Sequence, residues 1–172
     1  MEKTARRFLH KYDAQKGAWL KAAERFAVLL IAALLVSRFL LGVSMVSGES
    51  MYPTLNNGAV VVYSRVGSDY SRGDIVSLKM AYGEYYIKRV VAVAGDTVDL
   101  RGGILYVNDV PETGDWAHGL TEEQSEAVAF PLTVPEGRLF VMGDNREVSV
   151  DSRTFGAVAV SQIRGKVLFH IG

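Results

Sequence analysis

The chain has 172 residues, with 19 Lys/Arg against 19 Asp/Glu and no net charge, a length that suits one ordinary domain plus a tail. It has no cysteine, which excludes disulfide staples, thiolate metal sites and a cysteine nucleophile, and which is compatible with an extracytoplasmic setting. Its three histidines, His10, His118 and His170, lie far apart without metal-motif spacing, so each reads as a surface or boundary residue, and neither a metal site nor a histidine-based triad is expected.

The zero balance hides an asymmetry. Residues 1–25 carry seven Lys/Arg against three Asp/Glu, a local +4. The run 26–46, FAVLLIAALLVSRFLLGVSMV, follows with Arg38 as its one charge. A helix rising about 1.5 Å per residue crosses the hydrocarbon layer in about 20 residues. The expectation is therefore a basic cytoplasmic tail over 1–19, a transmembrane anchor over 20–42 with Arg38 snorkelling outward, and an apolar strand or interfacial segment within 39–46. A basic flank places the amino terminus in the cytoplasm and the rest outside. A cleaved leader and a buried core helix are the competing readings. The long basic region and the length of the run weigh against the first, and the lack of a polar face over 26–36 against the second.

Past residue 58 the pattern changes to period two and to β-formers. Strands are expected at 59–63, 74–78, 85–93, 97–100, 104–107 and 139–142. Glycine-bearing turns separate them, and Asn108-Asp109 reads as a hairpin turn. Arg72-Gly73-Asp74 spells an adhesion tripeptide, but a turn entering a strand accounts for it better. Residues 111–135 are acidic and looped, with Thr121 placed to cap a short helix through Glu123 and Glu126. No basic stripe with interleaved aromatics occurs, so no nucleic-acid partner is expected.

Three stretches carry chemistry. Ser50 stands in Gly48-Glu49-Ser50-Met51-Tyr52-Pro53-Thr54-Leu55, only four residues past Val46 and so within about 15 Å of it. Lys88 and Arg89 are side by side in the apolar strand 85–93. Neighbours on a strand point to opposite faces, so if Arg89 meets solvent, Lys88 faces inward, and a buried amine loses affinity for its proton. A neutral amine can take a serine proton without any histidine. The pattern alone leaves Lys88 equally open to being an exposed edge lysine. The third stretch is 143–156, dense in turn-formers, in which Asp151 and Arg153 can pair and Ser149 can orient an amine. By composition alone it is a solvated loop.

Together these stretches resemble the bacterial type I signal peptidases, in the single-anchor form of Gram-positive members. Ser50-Met51-Tyr52-Pro53-Thr54-Leu55 matches the family's box around the nucleophile. Arg72-Gly73-Asp74-Ile75-Val76 matches the next box, and Tyr86-Ile87-Lys88-Arg89-Val90-Val91 with Gly95-Asp96 matches the lysine box. Gly143-Asp144-Asn145-Arg146 with Ser149, Asp151, Ser152, Arg153 and Phe155-Gly156 matches the last. Each box alone is weak, but four in order across 48–156 are specific.

The resemblance implies a mainly β fold: a single amino-terminal transmembrane helix and, over 43–172, an extracytoplasmic all-β catalytic domain with a small loop-rich cap at about 103–137. It implies a membrane-bound serine endopeptidase that removes signal peptides with a Ser-Lys dyad and no cofactor. Ser50 is the implied nucleophile, Lys88 the base, Ser149 the residue that orients the amine, and Asp151 with Arg153 the supporting ion pair. Met51, Leu55, Tyr86 and Ile87 are implied to line pockets for small residues. The implied partners are secreted preproteins with small residues at −1 and −3, the lipid bilayer and the secretion translocon. Two departures stand out. Gly48 occupies a position where some members carry a serine that helps hold the oxyanion, and Val148 replaces a usual asparagine. Two other functions compete, a self-cleaving or regulatory Ser-Lys protease and a non-catalytic assembly factor. The first lacks a DNA-binding module before Ser50, and the second would have lost Ser50 or Lys88.

Overall fold

The computed structural model describes residues 2–172 except Ser68, Tyr82 and Thr113, and for residues 2–18 it describes the backbone alone. The basic tail expected over 1–19, His10 included, therefore lies outside the described side chains except at Trp19. The chain forms two units, Met1–Leu40 and Leu41–Gly172.

The first unit is one helix, α1 (Glu2–Leu40). Leu and Ala dominate its second half and favour helix. Phe26, Leu29, Ile31, Leu34, Leu35 and Phe39 are all exposed along it. Among the described residues, no helix is long and apolar enough to cross a membrane. Lys21, Glu24 and Arg25 precede the apolar part, and the stretch from Phe26 to the helix end covers about 22 Å against the roughly 30 Å of hydrocarbon. The helix expected to run to residue 42 stops at Leu40 and begins well before residue 20. The apolar run continues as a strand, β1 (Leu41–Met45), as the 39–46 segment was expected to do.

The second unit is mainly β. After β1 come β2 (Val60–Ser64), β3 (Ile75–Lys79), β4 (Tyr85–Val93), β5 (Thr97–Arg101), β6 (Ile104–Val107), β7 (Val110–Pro111), β8 (Leu132–Thr133), β9 (Arg138–Met142), β10 (Val158–Ala159) and β11 (Ile163–Ile171). A single-turn helix, α2 (Ser152–Phe155), precedes β10. Seven strands form one antiparallel sheet in the order β1-β2-β11-β3-β4-β9-β10, and four form a second in the order β7-β6-β5-β8.

The six expected strands all form, within a residue or so of their bounds. The turn between β6 and β7 has Asn108 and Asp109 at φ of 54° and 61°, the doubly left-handed geometry of a tight hairpin. The longest strand not anticipated is β11, which sits centrally between β2 and β3. Its outer half alternates weakly, because Leu168, Phe169 and Ile171 are all exposed. No helix forms over 121–126. Thr121 is buried, and its hydroxyl accepts from Arg146 instead of capping a helix. Arg72-Gly73-Asp74 is a turn into β3, with the Asp74 N–H donating to Ser71 O at 3.1 Å and Asp74 pairing with Lys166 at 2.8 Å.

Apolar residues cover both faces of the central strands. Val91 and Ala92 of β4 pack with Val98, Leu105 and Val107 of the small sheet and with Phe140 and Met142 of β9. On the other side Val90 packs with Val76, Leu78 and Val141. A third cluster, Val46, Met51, Leu55, Ala59 and Val61, lies directly under the segment that carries Ser50.

Candidate active site

Ser50 sits in a run of turns between β1 and β2, tightened by Tyr52 N–H donating to Glu49 O and Leu55 N–H to Met51 O. Burial of Met51 and Leu55 pins this run to the core below it. The Ser50 carbonyl is held from the other side, where Asn145 N–H donates to it at 3.0 Å. Lys88 lies on β4, opposite Val76 of β3. It is buried at 4 % exposure, and its Nζ donates to Ser50 Oγ at 2.7 Å. The Tyr86 ring lies 5.4 Å from the amine, within cation–π range.

Burial brings the Lys88 amine down from its ordinary 10.5 to about 8, because the charged form loses its hydration. Asp151 works against that shift, Arg153 adds to it, and Asp144 works against it. An amine near 8 is neutral in a usable fraction at mildly alkaline pH, as a base for a hydroxyl requires.

Arg89, the neighbour of Lys88 on the strand, does not face solvent. It is 8 % exposed, and its guanidinium donates from Nε to Asp144 Oδ1 at 2.8 Å and from NH2 to Asp144 Oδ2 at 2.7 Å. NH1 donates to Gly73 O at 2.7 Å, and the Trp116 ring stacks on the guanidinium at 4.7 Å. The two cations do lie on opposite sides of the strand, but both sides are covered. The planar guanidinium is held by several acceptors there, whereas among the described residues the lysine amine has one hydroxyl to meet.

Most polar side chains of the loop 143–153 are buried, while Glu147, Val148 and Val150 face outward. Asp144, Arg146, Ser149, Asp151, Ser152 and Arg153 are all buried, at 0–1 % exposure. Asp151 and Arg153 pair as expected, with Nε to Oδ1 at 2.9 Å and NH2 to Oδ2 at 2.9 Å. Asp151 also accepts from Gly143 N–H at 3.1 Å and caps α2 through the Arg153 N–H. Gly143 is glycine because of close approach: a Cβ there would stand 2.2 Å from Ser149 Oγ and 2.4 Å from Ser50 O.

Ser149 lies at this crowded point, but the hydrogen bond expected between it and Lys88 is not formed. Among the described residues, Ser149 Oγ is buried and has no partner. Gly48 holds φ of 90°, and its N–H donates to Asn57 Oδ1 at 3.0 Å. The Ser50 N–H donates to no backbone acceptor among the described residues.

A cleft of about 120 Å³ opens beside Ser50 and Lys88, lined by Ser44, Val46, Met51, Tyr86 and Ile87 among others. Leu55, expected in this lining, is fully buried beneath it and belongs to the core. Residues 44–47, which also line the cleft, were not singled out in the sequence. They sit at the end of the long apolar run, whose hydropathy masks any groove-lining role. Asp144 and Asn145 likewise carry roles that only the matched box could have hinted at.

A serine hydroxyl hydrogen-bonded to a buried amine on a mainly β scaffold is an arrangement compatible with a hydrolase of the activated-serine class. Comparison with known proteins agrees. Residues 19–171 match the family model described as signal peptidase, peptidase S26. Signal peptidase IB of Staphylococcus aureus (strain COL) is 36 % identical over 161 residues, covering 84 % of each chain. Signal peptidase I of Bacillus licheniformis is 35 % identical over 165 residues, covering 88 % of this chain and 86 % of that one. A solved signal peptidase I from Enterococcus faecalis V583 is 34 % identical, covers 59 % of this chain and 97 % of its own, and superposes with a TM-score of 0.49. The chain belongs to the signal peptidase family, peptidase S26, and is a serine peptidase.

Proposed function

We propose that the protein is a membrane-attached endopeptidase that removes signal peptides from secreted preproteins with a Ser50-Lys88 dyad. The observation that carries this is the 2.7 Å contact between a buried amine and the Ser50 hydroxyl. Lys88 takes the Ser50 proton as Oγ attacks the scissile carbonyl. The oxyanion is met by the free Ser50 N–H, with Gly48 leaving that side open. Lys88 then returns the proton to the leaving amine, and an ester links Ser50 to the signal peptide. Water, giving its proton to Lys88, hydrolyses the ester and restores the serine. Ser149, buried beside the site with an unused hydroxyl, is read as the group that steers the amine once substrate shifts it. An unpaired buried hydroxyl costs about 1–3 kcal/mol, and such groups call for a functional account.

The substrate reading rests on two free strand edges. Among the described residues β1 pairs with β2 alone, and residues 85–88 of β4 pair on one side with β3, while pairing with β9 starts at Arg89. Both open edges line the cleft. An extended peptide laid between them would direct its −1 and −3 side chains to one face, where the small cleft favours Ala, Gly or Ser.

Membrane attachment rests on exposed apolar surface. In α1 the residues from Phe26 to Phe39 would sit in lipid, the short span being met by local thinning and by Arg38 snorkelling. In the β unit, Met45, Val60 and Ile171 form one exposed cross-strand row, and Val43 and Phe169 flank Val62 in the next. The amino terminus is then cytoplasmic, the catalytic unit extracytoplasmic, and the secretion translocon a neighbour that delivers substrate.

The test is cleavage of a preprotein by wild type, Ser50→Ala and Lys88→Ala in membranes. The expected result is loss of at least about a thousandfold in turnover for each variant. Near-normal turnover by either one overturns the dyad, and full extraction of the wild type by alkaline carbonate overturns the attachment.

A further inference from the structure

The mechanism above leaves the stretch 112–124 without a task, although it touches the loop 143–154 at many points. His118 bridges to Asn145, its N–H donating to Asp144 O at 2.7 Å and its carbonyl accepting from Arg146 N–H at 2.8 Å. The buried Arg146 donates to Thr121 Oγ1 at 3.0 Å and forms an ion pair with Glu112. The Glu112 carboxylate also accepts from Trp116 Nε1 at 3.3 Å, and the Trp116 ring covers Arg89, the neighbour of Lys88. Finally, Gln124 Nε2 donates to Ser149 O at 2.7 Å, while Gln124 Oε1 accepts from Thr154 Oγ1 at 2.9 Å.

The residues so gripped are the ones that carry the site. Asn145 holds the Ser50 carbonyl, and Ser149 puts its unpartnered hydroxyl beside Gly143 and Ser50. The loop supplies no other side-chain amide to the Ser149 carbonyl. Among the described residues its other side-chain partner is Arg153 at a long 3.3 Å. Gln124 is fixed at both ends of its amide, so its donor has one direction. A shift of about 1 Å in a catalytic constellation can cost on the order of a hundredfold in rate.

We infer that the 112–124 extension is a positioning clasp for the Ser50-Lys88 pair, and that Gln124 is a positioning residue, acting through the Ser149 carbonyl to set where the Ser149 hydroxyl stands. This rests on the dyad reading. Gln124 is exposed as a residue, so it can be changed without opening the core. The buried Glu112 is a poorer probe, because losing it strands Arg146.

The experiment uses the full chain in detergent micelles and a fluorogenic peptide with Ala at −1 and −3. Gln124→Glu keeps the shape and the Thr154 acceptor but removes the donor to Ser149 O. Gln124→Ala removes both, and Glu126→Gln, exposed just past this stretch, serves as the control. Gln124→Glu and Gln124→Ala are each expected to lower kcat about tenfold with KM within twofold, to displace the alkaline rise of the kcat–pH profile, and to leave Tm within about 2 °C. Glu126→Gln is expected to match wild type. A Gln124→Glu enzyme with wild-type kcat and pH profile overturns the inference, as does a loss confined to KM or one that tracks a fall in Tm. Ser50→Ala in the same assay separates the two levels. If it is inactive while the Gln124 variants are normal, only the clasp fails. If it is active, the dyad fails and the clasp with it.

Discussion

The loop 143–153 and the outer face of β1, β2 and β11 break opposite rules of protein surfaces. The loop buries Asp144, Arg146, Asp151 and Arg153 almost completely, while the strands expose Val43, Met45, Phe169 and Ile171. Burying charge costs several kcal/mol per ion unless each is paired and hydrogen-bonded, and the loop meets that demand with two bidentate pairs and the Arg146–Glu112 ion pair. Among the described residues of their unit, the strands meet no covering partner. A contiguous apolar face of this kind marks a surface that works against something other than water. The loop is thus built for internal order and the face for an external medium. Ser50 follows β1 closely in sequence and is held by the loop through Asn145.

That contrast can be broken most severely at Asp144. Asp144→Ala leaves the Arg89 guanidinium buried without its carboxylate, and unfolding in urea should show a loss of about 3–5 kcal/mol. A loss under about 1 kcal/mol would mean that water replaces the carboxylate and that the loop is less closed than described.

A smaller effect, of opposite sign, is expected at Lys88. Its value of about 8 in the folded chain against the ordinary 10.5 means that the folded state binds this proton less tightly than the unfolded state does. Below pH 8 both states are protonated, and the mismatch costs the fold about 3 kcal/mol. As pH rises from 8 towards 10.5 the folded amine has already released its proton, so the cost fades and wild-type stability climbs. Lys88→Met should therefore be inactive yet more stable at pH 7, by up to about 3 kcal/mol, and the gap to wild type should close towards pH 10.5. The same titration sets activity: kcat/KM of the wild type should rise through an apparent pKa of about 8, and a profile flat from pH 6 to 10 would remove Lys88 as the base.

The smallest stability effect belongs to the exposed face. Val43→Ser with Ile171→Ser should alter unfolding free energy by no more than about 0.5 kcal/mol per site, since neither side chain is packed. Flotation of residues 41–172 with anionic lipid vesicles should nonetheless fall several-fold. Unchanged flotation would show that the face has another occupant.

Much of this molecule was determined by local sequence. Alternation placed six strands because half-buried strands need it, and Asn108-Asp109 set a hairpin turn because both tolerate left-handed backbone. The ordered boxes around Ser50, Lys88 and 143–156 mark the candidate site residues in the sequence itself. Other features were decided only by tertiary structure. β11 lacks alternation over its exposed half, so its central place became visible only through its pairing with β2 and β3. The pattern leaves the side that Arg89 faces open, and its burial is decided by Asp144, Gly73 and Trp116, distant in sequence, which converge on it. Leu55 reads as a pocket residue until the core beneath Ser50 claims it, and the expected Ser149 bond to Lys88 gives way to an unpartnered hydroxyl. The physical reason is the same in each case. Periodicity and turn chemistry act between neighbours in the chain, whereas burial, pairing and the depressed affinity of Lys88 for its proton are set by atoms tens of residues away.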